Sequence, residues 1–331
     1  MLANTALAAL AAVSAWLVAD PVAAQSADPL PSWNPGATKQ AILTYVAKVT
    51  RPGPDFVPTE ERVAVFDNDG TLWTEQPLYN QFVFVLDRVK QMVSKDPALR
   101  QKPAFAAVAD GDMAAVSKLQ EKDLLEMVAA TQAGLTIEQH QALAAAWLKT
   151  AKHPKFGRPY SALVYQPQLE LLAYLRASGF KTWIVSGGEV QFMRAFTQQA
   201  YGVPPEQVIG TSLKMKFDPG DGKANLTFVP ALGSLDDGPG KPENIALQIG
   251  RAPLVAVGNS DGDQQMLEYS AASARPSLQI LVHHDDAARE FAYDRTSKMG
   301  KLDTALDEAA ARGWTVVSIK NDWRSVFAVE P

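Results

Sequence analysis

Cysteine is absent from the 331-residue chain, which excludes thiol catalysis, thiolate metal sites and disulfides together. That absence suits an oxidising compartment without fixing one. Clustered positive charge is also missing: 31 Lys and Arg stand against 36 Asp and Glu, for a formal charge of −5. Nucleic acid and anionic membranes both reward basic patches, so neither is the expected partner. No internal repeat and no low-complexity tract occurs beyond the first residues. Apolar residues at 47% and charged residues at 20% are ordinary globular usage, which excludes disorder, collagen and coiled coil. The length allows two domains of roughly 150 residues, or one large core carrying an insertion.

The one long apolar run is residues 2–19, LANTALAALAAVSAWLVA, without a charge and followed by Asp20, Pro21 and Val22-Ala23-Ala24-Gln25. An apolar segment ending in a helix breaker and small residues is a secretory leader pattern, with cleavage expected after Ala24. The run is too short and Ala-rich for a membrane anchor, for which about 20 strongly apolar residues are wanted. A periplasmic or secreted product without a stable membrane anchor is expected. Residues 25–36 (QSADPLPSWNPG) read as a linker by composition.

A short helix is expected over 37–49. Arg62–Asp67 (RVAVFD) is a short apolar, β-branched run, the mark of a buried parallel strand. Lys181–Ser186, Pro253–Gly258 and Leu278–His283 share that character. Helical patterning precedes each of these three, as over Gln168–Ser178. Strands alternating with helices predict a doubly wound, Rossmann-like α/β core of three layers with a parallel sheet. Residues 76–158 break the alternation and read as a helical insertion, within which Thr136-Ile137-Glu138-Gln139 forms a capping box. The core is thus divided into 37–75 and 159–331. Asp-Gly and Pro-Gly signals in 212–228 predict a β-hairpin.

Ligands of open α/β sheets sit at the carboxyl ends of the strands. Asp67-Asn68-Asp69-Gly70-Thr71 follows the first strand and Ser186-Gly187-Gly188 the second. Gly240-Lys241-Pro242 precedes the third, and Gly258-Asn259-Ser260-Asp261-Gly262-Asp263 follows it. A carboxylate pair, a hydroxyl in a glycine turn, an ammonium and an acidic loop therefore share one edge. Phosphoryl transfer uses that set. A carboxylate can attack phosphorus, and charge on the equatorial oxygens is met by an ammonium, hydrogen-bond donors and a hard cation. Mg²⁺ accepts one or two carboxylates alongside water and phosphate. The i, i+2 spacing of Asp67 and Asp69 points both side chains one way, so one can attack while the other donates a proton.

FDNDGTLW, VSGG, GKP and GNSDGD, in this order, resemble the four motifs of the haloacid-dehalogenase-like hydrolase superfamily. The helical insertion is similar to its C1-type cap, and the hairpin to the phosphoserine-phosphatase-like branch. The resemblance spans about residue 37 to the end. It implies that Asp67 is the nucleophile of an aspartyl-phosphate mechanism and Asp69 the general acid and base. Ser186, the Gly187 amide and Lys241 would bind phosphoryl oxygens, with Thr71 beside them. Asp67, Asp69, Asn259 and Asp263 would hold Mg²⁺. Asn259 stands where the family usually has Asp, which leaves Asp261 as a direct or water-mediated substitute. Dehalogenases of the superfamily lack the second Asp, so a phosphomonoesterase acting on a small phosphorylated substrate is the implied activity. Two alternatives stay open: a phosphotransferase or phosphomutase using the same nucleophile, and a non-catalytic binding protein.

Other residues carry weaker signals. His283-His284-Asp285-Asp286 reads as a strand-end loop near the rim of the site, because adjacent residues on an extended segment point to opposite sides. His140 and His153 are expected to be solvated or locally bonded. Trp73, Tyr79, Phe82 and Phe84 are expected in the core, with Trp73 or Tyr79 as candidates for the substrate entrance. Glu75 is a candidate substrate-facing acid, and Arg158 a structural ion-pair partner or an anion contact.

Overall fold

A computed structural model of the chain describes residues 28–220 and 224–328. The leader expected at 1–24 lies outside the described residues. Helix α1 (Ala37–Thr50) buries Ile42, Tyr45, Val46 and Val49, an i, i+3, i+4, i+7 stripe. Strand β1 (Val63–Phe66) follows, then the helices α2 (Asn80–Lys95), α3 (Pro103–Asp110), α4 (Met113–Val116), α5 (Glu121–Gln132) and α6 (Ile137–Thr150). The core resumes with α7 (Gln166–Ala177), β2 (Lys181–Glu189), α8 (Val190–Arg194), α9 (Thr197–Tyr201) and the strands β3 (Val208–Asp218) and β4 (Asn225–Ser234). After them come α10 (Gly240–Gln248), β5 (Val255–Gly258), α11 (Gln264–Ala271), β6 (Leu278–Asp285) and the short β7 (Ala292–Tyr293). The end of the chain forms α12 (Thr304–Arg312), β8 (Thr315–Ser318) and α13 (Ile319–Asp322).

The strands form one sheet in the order β4-β3-β2-β1-β5-β6, with β7 and β8 both pairing to β6. Every pairing from β3 across to β8 is parallel; β4 and β7 are antiparallel additions. Alternation explains why the central strands are apolar throughout. Ala64 and Phe66 of β1 point into one core layer with Ile184, Val255 and Val257. Val63 and Val65 point into the other with Val185, Ala256 and Leu281. With helices on both faces there is no solvated side, and period 2 is lost from the hydropathy though not from the geometry.

The helical insertion leaves and rejoins the core at one place. Trp73 bridges Val164, and the Tyr165 amide donates to the Leu72 carbonyl at 2.9 Å. The reciprocal cap foreseen at Thr136 forms: Gln139 N donates to Thr136 Oγ1 and Thr136 N to Gln139 Oε1. Just before it, the Gly134 amide donates to the Phe228 carbonyl and the Phe228 amide to the Leu135 carbonyl, so the insertion is tied to the β3–β4 hairpin. The hairpin is longer than 212–228 suggested.

One expectation fails here. The described part of the 25–36 segment is no linker, because Leu30 and Trp33 are fully buried. Trp33 bridges Trp323, their rings meet edge-on at 6.0 Å, and its indole donates to the Pro167 carbonyl. Burial of an indole outweighs a polar, Pro-rich composition. Among the described residues no helix is long and apolar enough to cross a membrane.

Candidate active site

Strand β1 ends against two neighbours whose carboxyl ends stand level with it. Phe66 pairs with Ile184 of β2 and Val257 of β5, and the Asp67 amide extends the ladder to the Val257 carbonyl at 2.9 Å. Asp67, Ser186 and Asn259 therefore leave the sheet side by side. Lys241, in the first turn of α10, reaches under them. Its Nζ donates to Asp67 Oδ1 at 2.8 Å and to Asp263 Oδ1 at 2.5 Å, and all three side chains are buried. Above this floor lies a cavity of about 340 Å³ bounded by Asp67, Asp69, Glu75, Ser186, Gly187 and Lys241, among others.

Gly70 shapes the turn after Asp69. Its φ is +72°, and a Cβ there would lie 2.1 Å from Asn259 Nδ2 and 2.3 Å from Glu75 Oε1. Only glycine fits both the backbone and the space. The turn brings Trp73 back so that its indole Nε1 donates to Asp69 Oδ1 at 2.8 Å, while the ring stacks on Phe196 at 4.6 Å. Tyr201 OH fixes Asn68 Oδ1 at 3.0 Å.

Negative charge is in excess here. Burial, and after it the charge of Asp263, pushes the Asp67 carboxyl up to about 8, against the pull of Lys241. Burial lifts Asp69 to about 6, opposed by the hydrogen bonds from Trp73 and Asn68. Glu75 is pushed well above the carboxylate range by burial, although Tyr293 OH (2.8 Å) and Asn259 Nδ2 (2.6 Å) both donate to its Oε1. The Lys241 ammonium is held charged: burial opposes the charge, and the attraction of Asp263 and Asp67 outweighs it. Four carboxyl groups around one ammonium fit a site that also takes a divalent cation. Among the described residues no three His, Asp or Glu side chains form a metal cage. The carboxylates of Asp67 and Asp69 face the cavity in the way Mg²⁺ is held together with a substrate phosphate, while the buried Asn259 carbonyl, which accepts from Thr71, does not line it.

Several expected residues take other roles. Thr71 is fully buried and donates to Asn259 Oδ1 at 3.1 Å; it does not line the cavity. Asp263 gives Oδ1 to Lys241, and Oδ2 accepts from Asn259 N, Ser260 N and Ser260 Oγ. It thereby orients the ammonium and the acidic loop rather than presenting a free edge to a metal. Asp261 does not line the cavity, and its Oδ1 accepts from the amides of Asp303 and Ala305 at the start of α12. Arg158 donates to the Ala162 carbonyl and does not line the cavity. Tyr79, Phe82 and Glu75 do line it, whereas Trp73 and Phe84 are core.

The histidines are more deeply placed than their sequence context suggested. His140 is buried, with Nε2 3.1 Å from Glu189 Oε2, and Glu189 caps α8 by accepting from the amides of Gln191 and Phe192. His153 is buried against the Gln76 carbonyl. His283 is half-buried with Nε2 3.4 Å from Asp294 Oδ2 and does not line the cavity. His284 lies beneath the Asp67–Thr71 loop, Nε2 2.7 Å from the Gly70 carbonyl and Nδ1 3.1 Å from Glu290 Oε2. Burial pulls Glu290 upward, but its bonds to His284, Thr74 and the Phe291 amide outweigh that and hold it below the ordinary range. Tyr293 stacks on His284 at 4.4 Å. Sequence reading missed Glu290, Tyr293 and the Trp73–Asp69 bond. It also missed Asp236, a buried carboxyl raised to about 7 by burial, which accepts from Asn244 beside Ser186. The DD of SLDDGPGKP was the available signal for it.

Comparison with known proteins bears on fold and family. A model of the haloacid dehalogenase-like hydrolase family matches residues 64–268. A functionally unknown protein from Anaerococcus prevotii superposes with a TM-score of 0.54 at 15% identity, over 85% of this chain and 91% of that one. A protein of unknown function from Bordetella pertussis superposes with a TM-score of 0.50 at 17% identity, over 78% and 98%. A phosphoserine phosphohydrolase-like protein from Francisella tularensis is more distant, with a TM-score of 0.40 at 18% identity over 76% and 99%. No curated protein matches. With its four motif loops gathered on the floor of one cavity and the family model spanning most of the chain, the protein belongs to the haloacid dehalogenase-like hydrolases.

Proposed function

We propose that the protein is an exported, Mg²⁺-dependent phosphomonoesterase that works through an aspartyl-phosphate on Asp67. The observation that carries this reading is the buried Asp67–Lys241 pair at 2.8 Å on the floor of a cavity that Asp69, Ser186 and Gly187 also face.

A carboxylate oxygen of Asp67 attacks phosphorus, and the bond from phosphorus to the ester oxygen breaks. The leaving alkoxide takes the proton of Asp69, whose pKa, raised to about 6, leaves far more of the acid form near neutral pH than an ordinary aspartate has. Lys241, Ser186 Oγ and the Gly187 amide face the equatorial oxygens, where charge gathers in the transition state. In the second step water attacks the acyl phosphate and Asp69, now a carboxylate, takes its proton. Inorganic phosphate leaves and Asp67 returns as a carboxylate. The residues that would hold Mg²⁺ are Asp67, Asp69 and Asn259, and the charge it supplies when bound offsets the surplus of carboxylates described above. Export rests on the leader pattern of 1–24, and amino-terminal sequencing of secreted protein tests it.

The decisive experiment is phosphate release from a panel of monoesters with and without Mg²⁺, followed by trapping with beryllium fluoride. The expected result is Mg²⁺-dependent release and an adduct on Asp67. An adduct elsewhere, or none, overturns the mechanism. Phosphoryl transfer to an added alcohol in place of phosphate release would identify a transferase.

A further inference from the structure

The polar floor occupies only part of the cavity. Its walls are Phe82 and Val85 from α2, Leu124 and Val128 from α5, and Leu213 and Leu232 from the β3–β4 hairpin. Apolar side chains are rarely left uncovered in a concave site without a ligand to cover them. Leu124 and Val128 are only half-buried, and Leu232 is 40% exposed. The apolar surface continues outward. A second hollow of about 400 Å³ between α5 and β4 shares Leu125, Leu213 and Leu232 with the first; Ala129 and Pro230 extend its apolar wall, and Lys122 and Lys102, the latter paired with Glu126 at 2.7 Å, stand on it as well.

Charge narrows the occupant further. Among the described residues lining the first cavity, Lys241 is the only cation, and Asp67 and Asp263 already engage it. The other ionisable acids there are Asp69, Glu75, Glu189 and Asp237. In the first cavity a leaving group bearing a carboxylate or a second phosphate meets like charge and finds no further cation to receive it. An uncharged hydrocarbon meets surface that water covers poorly.

Resting on the phosphomonoesterase reading, we infer that the preferred substrates are monophosphates of apolar alcohols, whose hydrocarbon runs from the Asp67 floor between α5 and the hairpin into the outer hollow. Binding energy gathered along that remote wall is available to the chemical step when it is realised in the transition state.

The test is a homologous series, ethyl to hexyl phosphate, with phosphoserine and glucose 6-phosphate as polar comparisons and kcat/KM as the readout. About 0.8 kcal/mol per buried methylene corresponds to roughly fourfold, so kcat/KM is expected to climb about two- to fourfold per carbon. Hexyl phosphate should exceed phosphoserine by at least a hundredfold. Leu232→Arg, at an exposed position where folding tolerates charge, is expected to cut hexyl phosphate turnover at least tenfold and flatten the series. Competition by hexylphosphonate, which cannot be hydrolysed, should follow the same order without needing turnover. A flat or falling series with robust phosphate release overturns the substrate class and leaves the phosphatase reading standing. No release from any ester, with hexylphosphonate still bound more tightly than ethylphosphonate, overturns the phosphatase reading alone.

Discussion

Trp73→Phe isolates one hydrogen bond at the reacting centre. The indole donates to Asp69 Oδ1 at 2.8 Å, and its ring is fully buried against Phe196. Phenylalanine keeps the stacking and removes the donor. A hydrogen bond to a charged group contributes about 1.5–3 kcal/mol, so losing it costs the orientation and ionised form of Asp69 by that order. Since the indole bond lowers the Asp69 pKa, its loss lets the carboxyl keep its proton to higher pH. The retained proton favours the acid step, so the expected loss comes from orientation: for an alkyl phosphate, whose leaving oxygen needs that proton delivered in place, kcat/KM is expected to fall about tenfold, as about 1.4 kcal/mol is a factor of ten. The alkaline limb of its pH profile should move upward. For p-nitrophenyl phosphate, whose leaving group needs no proton, the same ratio should fall less than about threefold. The quantity to measure is kcat/KM, which reports the phosphoryl-transfer step and not the later hydrolysis common to both substrates. Equal losses on the two substrates with an unmoved limb would refute the reasoning and reduce Trp73 to packing.

Asp67→Asn is expected to abolish phosphate release and to raise the melting temperature at pH 8 by roughly 2–6 °C. The sign follows from the raised carboxyl of Asp67: its ionisation costs stability only above the ordinary carboxylate range, so the gain should vanish near pH 4, as calorimetry can read. Glu290→Gln breaks the buried contact with His284 and should destabilise by about 3–5 kcal/mol at pH 7 in urea denaturation. Because Glu290 is held below its ordinary pKa, its stabilisation is present above that range and lost as pH falls through the folded value; the variant should lose less than the parent on acidification. Chelation should abolish turnover, and adding Mg²⁺ to the stripped protein should both restore it and raise the melting temperature, since a ligand of the native state stabilises it.

The candidate site residues on the sheet were legible because each sits within a few residues of a strand end, where an apolar run stops abruptly at a polar turn. Asp67, Ser186 and Asn259 all fall at such edges, and a parallel sheet brings its edges together, whereas Lys241 enters from the first turn of α10. The central strands were legible for the same reason. The strand β8 was not, since TVVS is short and only Val317 of it is buried. Trp33 and Trp323, 290 residues apart in number, cover each other, and no local pattern announces that pairing. Trp73 and Asp69 are only 4 apart, so their bond was within reach of sequence reasoning, whereas His284–Gly70 and Thr74–Glu290 span 214 and 216 residues.

That difference has a physical root. Groups that react must face a cavity and can be placed by the strand that ends beneath them; groups that hold them must be buried, and a buried polar group takes its partner from wherever the packing supplies one. The consequence is visible in the charge around the site. Asp67, Asp69, Glu75 and Asp263 are each drawn inward by a different contact, to Lys241, Trp73, Tyr293 and the acidic loop, and no one of these contacts neutralises the set. Burying several carboxyl groups with a single ammonium is costly for folding alone. The arrangement becomes favourable once positive charge enters with the chemistry. On the proposed mechanism the penalty falls on the residues that would attack and protonate, which is where a stability cost and a catalytic advantage coincide.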